Sequence, residues 1–193
     1  PLGAHIVHVG LLVLLLGHLS TTVLVDRGDA SHRVSLVKDE VLVHDGLGLE
    51  FVGLEIESTG LEVGDGFIGV RINVYEMDGT TVGARIGEVV PGTLRFDSQG
   101  IPRSEVATLT RLTGDVVFIF DGSQAGSLMR SAGSGGLEQI ELVRVTVYNL
   151  PHSHLVWAGW CAMMGGMALV SWAGMGRVEK LVKGKPVKQP EEE

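Results

Sequence analysis

The chain is 193 residues long, enough for one ordinary domain with short appendages. Its 15 Lys/Arg against 23 Asp/Glu give a formal net charge of −8, which sets nucleic acid aside as a partner because phosphate must be met by basic side chains. The single cysteine excludes an intrachain disulfide or a cysteine-based metal site. A mean hydropathy of +0.29 in a chain that is 20% charged means that apolar residues are gathered in particular segments.

The first such segment is residues 3–25 (GAHIVHVGLLVLLLGHLSTTVLV), which contain no Asp, Glu, Lys or Arg. About 20 apolar residues cross the ~30 Å hydrocarbon layer, so a transmembrane helix is expected. A cleaved secretory signal is the other reading. Against it stand the missing basic start, the long apolar run and the lack of a small-x-small site. The chain begins at Pro1 rather than Met, so an upstream part is expected to have been lost or cut away.

Three histidines interrupt this apolar run: His5, His8 and His18. An ionisable side chain within a membrane is costly and normally faces a partner, a cavity or a cofactor. His5 and His8, three residues apart, share a helix face. His18 lies about 15 Å further along the axis than His8, points elsewhere and can sit close to the outer boundary. His8 is two turns in and followed by further apolar residues, which leaves it least able to reach water. A neutral imidazole is an axial ligand for haem iron. His8 is therefore a candidate ligand; packing or hydrogen bonding to a neighbouring helix is the alternative.

From residue 33 to 149 the pattern is β-like. Ile68, Val70, Ile72 and Val74 alternate with Gly69, Arg71, Asn73 and Tyr75, the mark of a half-buried strand. Asp78-Gly79 follows and predicts a type I′ hairpin turn, with Asp45-Gly46 offering a second. Further strands are expected at 34–43, 48–56, 115–120 and 138–148, and a short helical turn at 103–111 behind Ser104. The run SAGSGG (131–136) punctuates the rest, and no sustained helical periodicity is evident. Six or more strands in this length suit a small barrel or sandwich. The match GDGFIG (Gly64, Gly66, Gly69) leads into a strand rather than a helix, so it is not a dinucleotide loop. Acidic residues are scattered in the manner of a solvated face, and no catalytic constellation stands out. His32 and His44 are lone surface candidates for metal or haem ligation, ranked below the pair that follows. His152 and His154, at alternate positions before the second apolar segment, could bind a metal or haem or simply occupy a polar boundary.

That second segment, 155–175, is again free of Asp, Glu, Lys and Arg. Trp157, Trp160 and Trp172 lie near its ends, as rings anchored at headgroup depth do. Ala158, Ala162 and Gly166 form a four-residue repeat that either admits a second helix closely or is merely tolerated. Arg177, Lys180, Lys183, Lys185 and Lys188 follow, and flanking basic residues stay cytoplasmic. The expected organisation is thus a multi-pass plasma-membrane protein. Transmembrane helices at 3–25 and 154–175 flank an all-β extracytoplasmic domain at 26–150, with both termini cytoplasmic and a charged, solvated tail at 176–193. The central part carries 10 Lys/Arg and 19 Asp/Glu, so it is acidic in its own right.

The order of these features resembles the C-terminal portion of the CcmF family of cytochrome c maturation proteins. In that family a His-x-Gly sequence opens the span before the last periplasmic domain, as in HVGLLVLLLG here. The domain ends with a segment resembling teaai…DvYv, echoed by Glu105, Ala107 and Asp115-Val116-Val117. The final span resembles P…W-x-W-x-G-x-x-x-M-x-x-G-G, which Pro151, Trp157, Gly159, Met163 or Met164, Gly165 and Gly166 fit.

The resemblance implies a haem lyase component in which a haem b is held by transmembrane histidines. His8 would be the axial ligand, with His5 as the fallback, and the second ligand would come from a helix this chain lacks. The implied partners are the remaining CcmF-like membrane chain, the haem carrier, apocytochrome c-handling proteins and membrane lipid. The Trp-rich haem-presenting segment and the periplasmic histidines of the family are absent, so the chain is expected to be a fragment or one piece of a split protein, inactive alone. A membrane-anchored β-domain scaffold or binding module without cofactor is the competing expectation.

Overall fold

The structure, a computed structural model, describes residues 2–58, 61–96, 100–133 and 140–183. It divides into two compact units, Pro1–Leu24 with His152–Glu193, and Val25–Pro151.

The first unit is a pair of helices. Helix α1 (Leu2–His18) passes into a π-helical turn at Leu19–Val23, and helix α3 (Ser153–Lys183) runs antiparallel to it. Within these, Leu2–Val23 and Ser153–Met175 are long and apolar enough to cross a membrane, at 22 and 23 residues. Glycine decides how they pair. The buried residues of α1 are Gly3, Gly10 and Gly17, and seven-residue spacing keeps all three on one face. Gly159 and Gly166 repeat the spacing on α3 and are also buried. A Cβ at Gly10 would stand 2.7 Å from Met163 N and 2.8 Å from Gly159 O, so backbone lies directly on backbone. The expected stripe of Ala158, Ala162 and Gly166 is corrected: Ala162 and Gly166 are at the seam, but Gly159 is buried where Ala158 is exposed. A period of seven, rather than four, holds register along two helices that wind about each other. Helix α3 also continues through Lys183, into the segment expected to be an unstructured tail.

The second unit is mostly β. Strands β1 (Arg33–Val37), β2 (Val41–His44), β3 (Leu47–Glu57), β4 (Gly66–Asp78), β5 (Thr81–Val89), β6 (Gly92–Arg95), β7 (Arg103–Glu105), β8 (Ala107–Arg111) and β9 (Gly114–Phe120) precede helix α2 (Ala125–Gly133) and strand β10 (Leu142–Pro151). They form two antiparallel sheets, β1-β10-β9-β8 and β2-β3-β4-β6-β7, with β5 pairing the far end of β4. Alternation builds a single core from both sheets: Leu47, Leu49 and Phe51, then Ile68, Val70, Ile72 and Val74, then Val116, Phe118 and Phe120, then Val143, Val145 and Val147.

Several expectations change here. The strand expected at 34–43 is cut by Asp39, whose φ of +59° and N–H bond to Phe51 O send β1 and β2 into different sheets. The segment expected to turn helically at 103–111 is instead β7 and β8, paired to β6 and β9 respectively. The hairpin at Asp78-Gly79 forms, but Asp78 pairs with Thr81, so Gly79 (φ +62°) is the first central residue, as in a type II′ turn. Asp45 and Gly46, at φ +47° and +73°, make the other turn as expected. Gly66 and Gly69 lie within β4, which agrees with the rejection of a dinucleotide loop. Helix α2 breaks the all-β expectation. Asp121 and Gln124 explain it: Asp121 Oδ1 accepts from Ser123 N, and the Gln124 amide exchanges two bonds with the Arg144 backbone, at 2.9 and 3.0 Å. Residues 134–136 of SAGSGG and the first two of the strand expected at 138–148 lie outside the described residues.

The glycine seam is testable. Gly159→Leu should destabilise the helix pair by about 1–3 kcal/mol, because backbone cannot retreat as a side chain can. Gly165→Leu, at a position with nothing within 4 Å of its Cβ, should be near neutral. Denaturant unfolding of the two variants in detergent checks this; equal losses would refute the seam.

Candidate functional site

On α1 the glycine seam fixes where every other side chain points. His5 follows Gly3 by two residues and His8 precedes Gly10 by two, so each is turned about 160° from the seam. Both are exposed, on a face shared with exposed Leu12 and Leu15. The ring of His8 is held by one bond, Nδ1 to Ala4 O at 2.7 Å. A carbonyl only accepts, so Nδ1 carries the proton and the Nε2 lone pair of the neutral ring is left available. Metal-bound histidines commonly fix their tautomer in this way.

His18 is also exposed but stands about 100° from the seam at Gly17. Its carbonyl accepts from Thr22 Oγ1 at 2.6 Å, while Ser20 and Thr21 return their hydroxyls to Leu16 O and Gly17 O, each at 3.0 Å. The polar end of the segment thus satisfies itself through the π-helical turn. His152 has a left-handed backbone (φ +61°), and its carbonyl accepts from Leu155 N, so it opens α3 as a turn residue. Among the described residues, neither His152 nor His154 joins a group of potential metal ligands.

The expectation of lone surface histidines in the β domain is corrected. His32 and His44 converge with Asp45, and both rings are largely enclosed. His32 and His44 stand twelve positions apart with a change of sheet between them, so no local spacing announces the cluster.

Acidic residues of β3 and β5 are ordered too, by partners on β4 and β5. Glu50 accepts from Tyr75 OH at 2.6 Å and from Asn73 Nδ2 at 2.9 Å. Arg71 reaches Glu55 at 2.8 Å and Glu88 at 3.5 Å, and Arg85 also binds Glu88. The Tyr75 hydroxyl, then the Asn73 amide, hold the Glu50 carboxyl below its ordinary value, while Glu50 pushes Tyr75 up. Ser123 likewise lowers Asp121. Lowered carboxyls are stable anions, the opposite of what a general acid requires. The arrangement is a cross-strand polar ladder.

The fold therefore defines a class: a mostly β domain inserted between two apolar helices that pair through glycine. The chain is similar to a solved structure described as Cytochrome c Heme Lyase CcmF, with a TM-score of 0.55 and 13% identity over 86% of its length. The chain spans 24% of that protein's length. At this identity the likeness is one of fold. No family model and no curated protein matches the chain.

The polar ladder predicts a pH dependence. Because the Glu50 carboxyl is lowered in the fold, its stabilisation is complete above its ordinary value of 4.5 and drains away as pH falls through the folded value. Tyr75→Phe removes the largest cause, so the carboxyl midpoint should rise toward 4.5 and acid unfolding should begin at higher pH. A carboxyl titration by NMR together with acid melts reads both; unchanged midpoints would refute the assignment.

Proposed function

We propose that this chain is a C-terminal subunit or fragment of a cytochrome c maturation haem lyase, in which α1 supplies one axial ligand to a haem b held within the membrane. The observation that carries the reading is His8. It stands on the exposed face of a helix with a CcmF-like fold, and its Nε2 is left available by the bond from Nδ1 to Ala4 O. In this reading the two helices cross the plasma membrane. The basic residues from Arg177 to Lys188 keep both termini cytoplasmic, and the acidic β domain lies outside.

The donor set fits a haem. A neutral imidazole with its second nitrogen tied to a carbonyl is a suitable axial ligand, and His5, one turn away on the same face, is the fallback. Bound haem would supply redox chemistry at its iron; the part played by this chain is to orient the His8 ring and fix its tautomer. The second ligand would come from the remaining CcmF-like membrane chain, and the β domain would meet the haem carrier or apocytochrome c-handling proteins. No catalytic residue is assigned, and the chain alone should not attach haem.

The deciding experiment is a reduced-minus-oxidised spectrum of detergent-purified complex, coexpressed with an upstream CcmF-like chain. His8→Ala should lower the haem b signal at least about tenfold, while His18→Ala should leave it near wild type. A signal lost with His5→Ala instead would move the ligand by one turn. Absence of haem from every sample would leave the membrane-anchored scaffold as the better account.

A further inference from the structure

Two imidazoles and one carboxylate meet in the β domain. One ring nitrogen of His32, one of His44 and one carboxylate oxygen of Asp45 lie within 4.8 Å of one another. Each residue reaches the point by a different local device. His32 ends a 3-10 turn (Ala30–His32) that Asp29 caps by accepting from Ser31 N at 2.8 Å. Its ring leans on Tyr148, with centroids 4.9 Å apart, and Tyr148 is itself tied to Arg27 O. His44 is the last residue of β2, paired with Leu47 across the hairpin, and its side chain is only 12% exposed. Asp45 follows in the left-handed conformation of the turn, which swings its carboxylate back toward the His44 ring.

What the cluster lacks is as telling as what it holds. His32 Nδ1 and His44 Nε2 are both closed off from solvent, and neither has a hydrogen-bond partner. A buried polar atom without a partner costs about 1–3 kcal/mol. His44 Nε2 stands 3.7 Å from Asp45 Oδ2, too far for a hydrogen bond. Two ligand atoms each about 2.1 Å from a shared tetrahedral ion stand roughly 3.4 Å apart, so this spacing is close to that of ligands across an ion.

We propose that His32, His44 and Asp45 form a binding site for one divalent first-row transition ion of the zinc type. Two imidazoles and a carboxylate select such an ion over calcium or magnesium, which take oxygen ligands. Three protein ligands leave a position for water, and the half-exposed Asp45 gives solvent access on that side. The ion ties the turn before β1 to the β2–β3 hairpin. Because β1 and β2 belong to different sheets, the ion clips the two sheets together. The only cysteine lies in α3, so no disulfide is available to this domain for that task. The site stands independently of the haem reading.

The test uses the full chain in detergent, without an affinity tag and stripped by chelator. Zinc alone is titrated by calorimetry and cobalt(II) alone by visible absorbance. The expected result is one equivalent bound per chain, a cobalt spectrum of low-coordinate type, and a melting temperature of the β domain that rises with zinc. His32→Ala and His44→Ala should each weaken binding at least about 100-fold, with Asp45→Asn weakening it less, while His18→Ala leaves it unchanged. His44→Gln, which keeps a polar group of similar reach, separates lost ligation from lost folding when its circular dichroism matches wild type. No saturable binding by the wild-type chain would overturn the proposal. So would an affinity indifferent to His44→Gln in a folded variant.

Discussion

Contact of backbone on backbone along α1 and α3 is the constraint from which the helical unit follows. In the proposed membrane placement two apolar helices gain nothing by hiding leucine from water, and close packing is what pairs them. Gly3, Gly10 and Gly17 on one helix, with Gly159 and Gly166 on the other, supply it. The same geometry dictates the rest of α1. Glycine occupies the seam, Ile6, Val7, Val13 and Leu14 flank it half-buried, and Leu12, Leu15 and His8 lie exposed on the far surface. The orientation of His8 is thus a consequence of residues that never touch it.

The β domain obeys a different rule. Each long strand places alternate β-branched or aromatic residues inward, and two backbone breaks distribute those strands between the sheets. Asp39 separates β1 from β2, and Val106 separates β7 from β8. In both places a stretch that reads as one element in sequence serves two sheets. Packing of Leu36 and Val143 with Leu49 and Val70 in one core is what makes this division worthwhile.

The legible parts of the sequence were those with strong periodicity. Alternation from Ile68 to Val74 and the charge-free runs of α1 and α3 each carry the pattern of their final structure within a dozen residues. The position of His8 opposite the seam was not legible, because α3 carries a four-residue repeat of small residues beside the seven-residue glycine spacing and nothing local ranks one above the other. Helix α2 was hidden by its composition: AGSLMRSAG is short and rich in Gly and Ser, and its start depends on Gln124 binding a strand twenty residues away. The meeting of His32, His44 and Asp45 depends on Asp39 sending β2 into another sheet, a tertiary event that no spacing encodes. The signal that could have raised it was His-Asp-Gly at a tight turn, which places a ligand pair on a rigid corner.

The hydrogen-bonding inventory of His8 also argues about what the exposed face of α1 is for. Its single donor is met within the helix by Ala4 O, at almost no cost. The atom left over is an acceptor, Nε2. Leucine and lipid tails can offer it nothing, and an unmet polar group in hydrocarbon is costly. Three kinds of group can satisfy it: water, a donor from another helix, or a Lewis acid. The neighbours of His8 on that face are the exposed Leu12 and Leu15, which carry no donor, and α3 packs on the opposite side. In the proposed membrane placement the requirement passes to a group outside this chain, either a donor from another helix or the iron of the haem proposed above.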